Sequence, residues 1–97
     1  MKDIFWTINA ERSFNDLIDY LIKNWTNREY QKFIERTQEL LTHIRNNPFS
    51  FQESDKYQNV RRAVLTNIIS VYYYPNDDGI YLLFFWDNRR NPKDLKL

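Results

Sequence analysis

The most constraining feature of this sequence is an unbroken apolar and aromatic run from Ile80 to Trp86. Gly79 precedes the run and Asp87 follows it. Seven residues of this kind are typical of a strand buried on both faces and are short for a helix. The run leads directly into Arg89 and Arg90, so two cations lie at the exit of a rigid element. This stretch therefore predicts a core strand that ends in a recognition surface.

Length and composition favour one small domain that works without a cofactor. We expect a single domain over residues 1–97, since 97 residues leave no room for a second core. The chain contains no cysteine, which excludes disulfides and thiolate metal sites. It shows no metal-ligand spacing and no phosphate-binding glycine loop, so we expect neither a metal nor a cofactor. Without a signal-peptide pattern or a membrane-spanning apolar run, the expected location is the cytoplasm.

Charge is distributed unevenly along the chain. The net charge of +1 is too close to zero for a general polyanion-binding protein. Residues 56–97 nevertheless carry seven basic and four acidic side chains, a local net charge of +3. The carboxyl-terminal half is therefore the part that we expect to face an acidic partner.

The amino-terminal part predicts a short strand followed by a helix. Residues 2–8 alternate loosely between two faces, as a strand does. Apolar residues then recur at helical intervals, which predicts an amphipathic helix over about residues 10–24. Asn9 is placed to cap its first turn, and Asn24 is placed to end it in a left-handed conformation.

A capping box predicts where a second helix begins. Thr26 and Glu29 have the spacing at which a hydroxyl and a carboxylate each satisfy the other residue's backbone amide. The apolar stripe that follows predicts a helix ending at about Asn46, because the residue before Pro48 disfavours helical geometry. So few residues separate the two helices that they are expected to form an antiparallel hairpin.

The carboxyl-terminal part predicts three further strands. They are expected at Val60–Leu65, Ile68–Tyr74 and Ile80–Trp86, separated by a tight turn and by a glycine-containing turn at residues 75–79. Three strands connected in this way form an antiparallel meander, whose inner face only the helical hairpin is available to cover. The predicted fold class is therefore α+β in the order β-α-α-β-β-β, a helical hairpin packed on a mainly antiparallel sheet.

Five features of the chain form a pattern when they are taken in order. They are the opening strand leading into Ala10, the helices ending in Asn47-Pro48, the segment Val60-Arg61-Arg62, the Tyr72-Tyr73 strand and the closing segment from Phe85 to Pro92. In this order and spacing, the pattern resembles the RelE/ParE superfamily of toxins from type II toxin–antitoxin pairs over essentially the full length. The resemblance implies a growth-inhibiting protein, held inactive by a small cognate antitoxin, with a role in plasmid stabilization.

The resemblance implies a different target for each branch of that superfamily. RelE-like proteins cleave messenger RNA in the ribosomal decoding site, whereas ParE-like proteins poison DNA gyrase. The RelE-like proteins use lysines and arginines on the sheet together with a Tyr or His near the carboxyl terminus. Here the residues after Arg90 include neither, and the two central strands contain no lysine. The sequence therefore favours a ParE-like toxin that binds DNA gyrase and has no catalytic residue.

Two other interpretations stay open. The first is a ribosome-dependent mRNA interferase, an endoribonuclease acting on ribosome and mRNA, whose candidate catalytic residues are Arg61, Arg62 and Arg89. Lys56 would supply a further cation to that reaction. The second is a degenerate member that binds its antitoxin and does not harm the cell.

Candidate residues for binding the target or the antitoxin lie on and after the strands. They are Arg61, Arg62, Tyr72, Arg89 and Arg90. Arg61 and Arg62 are neighbours on one strand, so they point to opposite faces, and the sequence does not decide which of them points outward. The inward one is expected to pack along its stem and to pair with a helix carboxylate, such as Asp16 or Asp19.

The remaining expectations concern His43 and the partners. His43 is the only histidine, and it lies on the polar side of the second helix without a nucleophile in triad spacing, so it is expected to be solvated. The antitoxin is expected to place an acidic amphipathic segment in the groove between the helical hairpin and the sheet. The isolated protein is expected to be a monomer or a weak dimer, with no membrane partner.

Overall fold

The polypeptide folds into two helices and one four-stranded sheet in the predicted order β-α-α-β-β-β. The computed structural model describes residues 2–95. Its elements are strand β1 (Ile4–Trp6), helices α1 (Ile8–Ile22) and α2 (Asn27–Asn46), strands β2 (Arg61–Val64), β3 (Ile69–Pro75) and β4 (Ile80–Asp87), and a 3₁₀ turn (Pro92–Asp94). The predicted α+β class is confirmed.

The sheet has the strand order β1-β4-β3-β2, with β4 and β3 in the centre. Strands β2, β3 and β4 form the predicted antiparallel meander. Strand β1 instead lies parallel to β4, with Ile4 opposite Ile80. A parallel pair needs a long crossover connection, which the two helices provide as part of the chain between the strands.

Strand β4 is buried on both faces, as the apolar run predicts. A β-bulge interrupts its pairing with β3: Tyr73 lies opposite Leu82, but Tyr72 lies opposite Phe84. The extra residue, Leu83, shifts the alternation of β4 by one position. The first part of the strand therefore turns Ile80 and Leu82 toward the helices, whereas Phe84 and Trp86 point to the opposite face.

The helices cover one face of the sheet through a mixed aliphatic and aromatic core. Phe14 of α1 packs against Phe33 of α2 and Phe85 of β4, with ring centroids 5.9 and 4.8 Å apart. Trp25 between the helices packs against Phe33 at 5.2 Å. Neither helix in residues 2–95 is long and apolar enough to cross a membrane.

The caps of α1 differ from the sequence prediction. Thr7 caps the helix instead of Asn9, and its hydroxyl oxygen accepts a hydrogen bond of 3.1 Å from the amide of Ala10. The same hydroxyl donates to the Leu82 carbonyl at 2.7 Å, so a contact with β4 selects Thr7. At the other end, Lys23 is right-handed, and the left-handed conformation predicted for Asn24 is absent.

The capping box of α2 is confirmed. The hydroxyl oxygen of Thr26 accepts from the amide of Glu29 at 3.2 Å, and the Glu29 carboxylate accepts from the amide of Thr26 at 3.3 Å. The helix therefore begins at Asn27, immediately after the cap, and ends at Asn46. Arg36 of α2 adds a polar contact to the residue directly after β2, since its guanidinium donates to the Leu65 carbonyl at 3.2 Å.

Candidate binding groove

The sheet face opposite the helices carries a second apolar cluster. Its buried members are Val60, Tyr72, Phe84, Trp86 and Leu95. Tyr72 of β3 stacks on Phe84 of β4 with ring centroids 4.7 Å apart, and Phe84 meets the edge of Trp86 at 6.4 Å. This outer face is therefore built on a rigid aromatic layer that belongs to the two central strands.

The carboxyl-terminal segment closes one end of this face. Leu95 is buried against the aromatic layer. Its backbone carbonyl accepts hydrogen bonds from the ammonium group of Lys56 and from the Tyr57 hydroxyl, the latter at 3.1 Å. The loop between α2 and β2 thus holds the segment that follows β4.

An open groove of about 610 Å³ lies beside that closed end, and we call it the outer groove. Loop residues 50–56 form one wall, and the ends of β2 and β4 form the other. Tyr72 and Trp86 are the aromatic residues of the sheet that line it. Its basic lining residues are Lys56, Arg62 and Arg90.

Arg90 covers the indole ring of Trp86. The carbon of its guanidinium lies 4.4 Å from the ring centroid, a cation–π contact. The backbone amide of Arg90 donates to the Asp87 carbonyl at 3.0 Å, which forms the turn that brings the side chain back over β4. The contact joins an exposed cation to a buried ring, so Trp86 holds the charge of Arg90 at the end of β4 while Arg90 covers the ring.

Arg61 and Arg62 take different roles at the start of β2. Arg62 points to the outer groove, where its guanidinium donates to the Asn88 side chain at 3.2 Å. Arg61 donates to the backbone carbonyls of Phe49 and Phe51 at 3.1 and 2.6 Å. The expected pairing of the inward arginine with Asp16 or Asp19 is therefore wrong, because loop carbonyls at the β2 edge satisfy it.

Arg89 turns away from the outer groove and pairs with Asp87. Its guanidinium donates to both carboxylate oxygens, at 3.0 and 2.6 Å, although its side chain stays 55% exposed. This hydrogen bonding lowers the pKa of Asp87 and raises the pKa of Arg89. The pair closes the turn after β4 and leaves Arg90 as the arginine of this turn that lines the groove.

The structure therefore brings together three of the five predicted binding residues. Arg62, Tyr72 and Arg90 line the outer groove, whereas Arg61 and Arg89 do not. Trp86 also lines the outer groove, although it was not among the predicted binding residues, since the sequence indicates a core position for it. His43 is exposed, as expected, and its ring packs 5.0 Å from Phe51.

A smaller cleft of about 380 Å³ lies between α1 and the end of β4. Arg90 lines this cleft as well as the outer groove. Asp16, Tyr20 and Asp87 are further polar lining residues, so the cleft carries carboxylates beside its one arginine. The cleft thus lies between the helical hairpin and the sheet, where the antitoxin is expected.

The chain matches a known protein family in sequence and known toxins in fold. The family model described as ParE toxin of type II toxin-antitoxin system, parDE, matches residues 4–92. No curated protein sequence matches the chain. A copper-bound mutant toxin from Helicobacter pylori superposes with a TM-score of 0.65 and 17% identity over 92% of this chain and 97% of that chain. The E. coli DinJ–YafQ complex gives a TM-score of 0.65 and 12% identity over 92% and 96%.

The two structural likenesses are at low identity and concern the fold. The family match is evidence for family membership as well as for the fold, because it spans the chain from β1 to the turn after β4. It includes every strand, both helices and all the basic side chains of the outer groove. The protein is therefore a member of the ParE toxin family of type II toxin–antitoxin systems.

Proposed function

We propose that this protein inhibits growth by binding DNA gyrase, and that it does so without cleaving RNA. The contact that supports this most strongly is Arg90 over Trp86, at 4.4 Å, in a groove that Arg62 and Tyr72 also line. Arg, Trp and Tyr are the residues that contribute most binding energy at protein–protein interfaces. A groove built from these three types favours recognition of a protein surface.

The arrangement of charge argues against an RNA-cleaving site. RNA cleavage needs several cations around the phosphate and a positioned acid or base. In the outer groove, the ammonium of Lys56 is already engaged by the Leu95 carbonyl. Glu53 and Asp55 also line the groove, and their carboxylates repel a phosphate backbone. Within residues 2–95, Arg62 and Arg90 are the remaining groove cations, and each already contacts a neighbour, Asn88 and Trp86 respectively.

The cognate antitoxin is proposed to use the same groove. An acidic amphipathic segment can place a carboxylate between Arg62 and Arg90 and an apolar side chain against the aromatic floor. Two carboxylates line each site, but the smaller cleft beside α1 has Arg90 as its one basic lining residue, whereas the outer groove has Lys56, Arg62 and Arg90, so the cleft fits such a segment less well. One surface would then serve both partners, so antitoxin binding would exclude the target.

The test is a DNA gyrase supercoiling assay with the purified protein. We expect inhibition and trapped DNA cleavage at micromolar protein, and a loss of at least about tenfold in potency for Arg90→Ala, the size of one good interface contact. Arg28→Ala is the matched control, since Arg28 is an exposed arginine at the start of α2. It is expected to inhibit as the wild type does.

Three outcomes would overturn the proposal. Wild-type protein that neither inhibits supercoiling nor traps cleaved DNA excludes gyrase as the target. Cuts inside codons, seen by primer extension on message from expressing cells, would establish an mRNA interferase instead. Unimpaired growth on expression without the antitoxin would show a degenerate member that binds its partner only.

A further inference from the structure

The chain covers the sheet edge at β2 with its own loop. Glu53 pairs with Arg61 in a short antiparallel bridge, and the amide of Arg62 donates to the Gln52 carbonyl at 2.9 Å. The amide of Ser54 also donates to the Val60 carbonyl. Residues 52–54 therefore occupy the place that another strand would take, and this edge is closed.

Helix α1 and its cap cover the part of the β4 edge that β1 does not reach. Strand β1 covers β4 only from Ile80 to Leu82. Beyond it, the Thr7 hydroxyl donates to the Leu82 carbonyl at 2.7 Å, and the amide of Phe85 donates to the Ser13 hydroxyl at 2.8 Å. Side-chain hydroxyls at the start of the helix thus replace a neighbouring strand.

Within residues 2–95, the outward edge of strand β1 is the sheet edge that no other segment covers. The Asp3 carbonyl accepts from the amide of Ile80 at 2.8 Å, and the amide of Thr7 donates to the Leu82 carbonyl at 3.2 Å. Backbone groups alternate along a strand, so those of Ile4 and Trp6 face away from β4. In the described part of the chain β1 pairs with β4 alone, which leaves this outward edge open.

The open edge is flanked by exposed apolar side chains. Phe5, Trp6 and Ile8 are 41%, 36% and 66% exposed. Natural edge strands usually prevent pairing by being very short or by carrying a lysine, a proline or a bulge; β1 is short, at three residues, but Ile4–Trp6 carries none of the other three features. An apolar edge of this kind is a template for another strand.

We propose that β1 is a self-association surface, through which two copies of this chain pair in antiparallel orientation around a twofold axis at Phe5. In this register Ile4 of each copy lies opposite Trp6 of the other, and these outward-facing residues form the hydrogen-bonded pairs. Phe5 then faces its own equivalent as a non-hydrogen-bonded pair, where side chains approach most closely. One symmetric register satisfies every outward backbone group of the strand.

The size of the patch sets the strength of the dimer. The exposed parts of Phe5, Trp6 and Ile8 offer roughly 300 Å² of side-chain surface per copy, given the usual areas of such side chains. Two copies bury roughly 600 Å², about half of what a stable interface needs. The dimer is accordingly weak, with a dissociation constant on the order of 100 μM.

A single introduced cysteine tests the twofold axis, because the chain contains no cysteine of its own. In the proposed dimer the two Phe5 Cα atoms are about 4.5 Å apart, a separation that a disulfide accepts. At about 200 μM protein under mild oxidation, Phe5→Cys is expected to form covalent dimers at least about tenfold faster than Ile22→Cys. Ile22 is the matched control, since its side chain is also 41% exposed. Equal rates for the two variants would overturn the proposal.

Amide hydrogen exchange of the wild-type protein supplies a test without any substitution. The Ile4 and Trp6 amides should exchange about threefold more slowly at 500 μM than at 10 μM, because with a dissociation constant on the order of 100 μM the monomer fraction falls from about 0.85 to about 0.27. The Phe5 amide faces β4 and should be protected equally at both concentrations. No concentration dependence at Ile4 and Trp6 contradicts self-pairing. Protection that appears only when an antitoxin is added also contradicts it, since the edge would then belong to that partner.

Discussion

The hydroxyl of Ser13 in α1 accepts a hydrogen bond of 2.8 Å from the backbone amide of Phe85 in β4. The same hydroxyl donates to the Asn9 carbonyl at 2.7 Å, so both of its roles are used. Because β1 ends opposite Leu82, no strand of residues 2–95 lies beside the Phe85 amide. Ser13 thereby fixes α1 along the part of β4 that leads to the outer groove.

Replacing Ser13 with alanine should lower the free energy of unfolding by about 1–3 kcal/mol, since the Phe85 amide loses its partner in the core. Urea unfolding measures the change. Thr42→Ala is the control, because the Thr42 hydroxyl donates to the Gln38 carbonyl within the exposed side of α2. Its effect should stay within about 0.5 kcal/mol. Equal losses for the two variants would mean that the Ser13 contact stabilises nothing.

The hydroxyl of Tyr73 should contribute to stability through the loop that follows α2. It donates to the Pro48 carbonyl at 2.7 Å, and the side chain of Tyr73 is 0% exposed. Tyr73→Phe is expected to cost about 1–2 kcal/mol in urea unfolding, the cost of leaving that carbonyl unpaired. Tyr74→Phe, at a partly exposed neighbour, is expected to cost little. A Tyr74 effect as large as that of Tyr73 would contradict the assignment.

The same phenol predicts how stability depends on alkaline pH. Burial raises the pKa of Tyr73 in the folded state. The stabilisation is therefore complete below the unfolded-state pKa of about 10 and is lost as pH rises toward the folded-state value. Wild-type protein should lose stability relative to Tyr73→Phe above about pH 10, measured by urea unfolding. Parallel pH profiles would show that burial leaves the titration of Tyr73 unchanged.

Asp87 predicts the opposite dependence at acid pH. Its hydrogen bonds from Arg89 lower its pKa, so the stabilisation is present above the unfolded-state value and is lost as pH falls through the folded-state value. The stability difference between wild type and Arg89→Ala should therefore shrink as pH falls below about 4. Arg28→Ala should show no such change. A stability difference between wild type and Arg89→Ala that persists in acid would mean that Arg89 stabilises the fold through a contact other than Asp87.

Arg61 and Arg62 should respond differently to removal although they are neighbours in sequence. Arg61→Ala frees two loop carbonyls and is expected to cost about 1–2 kcal/mol of unfolding free energy. Arg62→Ala should change stability by less than about 0.5 kcal/mol, because the side chain is exposed. Calorimetry with the co-expressed antitoxin should nevertheless show binding weakened at least about tenfold for Arg62→Ala. A stability loss for Arg62→Ala and a binding loss for Arg61→Ala would contradict this assignment.

Much of the fold was predictable because its signals are local. The capping box of Thr26 and Glu29 acts over four residues, and the turn at residues 75–79 joins two strongly apolar strands. The start of α1 was not predictable in the same way, since Thr7 and Asn9 are both good capping residues. A contact with the Leu82 carbonyl, 75 residues away, selects Thr7. The parallel partner of β1 is likewise a tertiary choice, because three residues carry almost no periodic signal.

The candidate site was only partly predictable, because a bulge changes which side chains share a face. Simple alternation from Ile80 places Trp86 on the helix side of β4. The extra residue at Leu83 moves Trp86 to the outer face, where Arg90 covers it. Strand alternation likewise separates Arg61 from Arg62 without saying which points outward, and the loop carbonyls that hold Arg61 decide it.

The cation above Trp86 also gives the outer groove an optical signal. Indole fluorescence responds to a charge held close to the ring, and here that charge is 4.4 Å from the centroid. Replacing Trp6 and Trp25 with phenylalanine leaves Trp86 as the only tryptophan of the three. A bound peptide that lifts Arg90 from the ring changes the emission of that one residue. Occupancy of the groove can then be titrated in the unlabelled protein, separately from growth or gyrase assays.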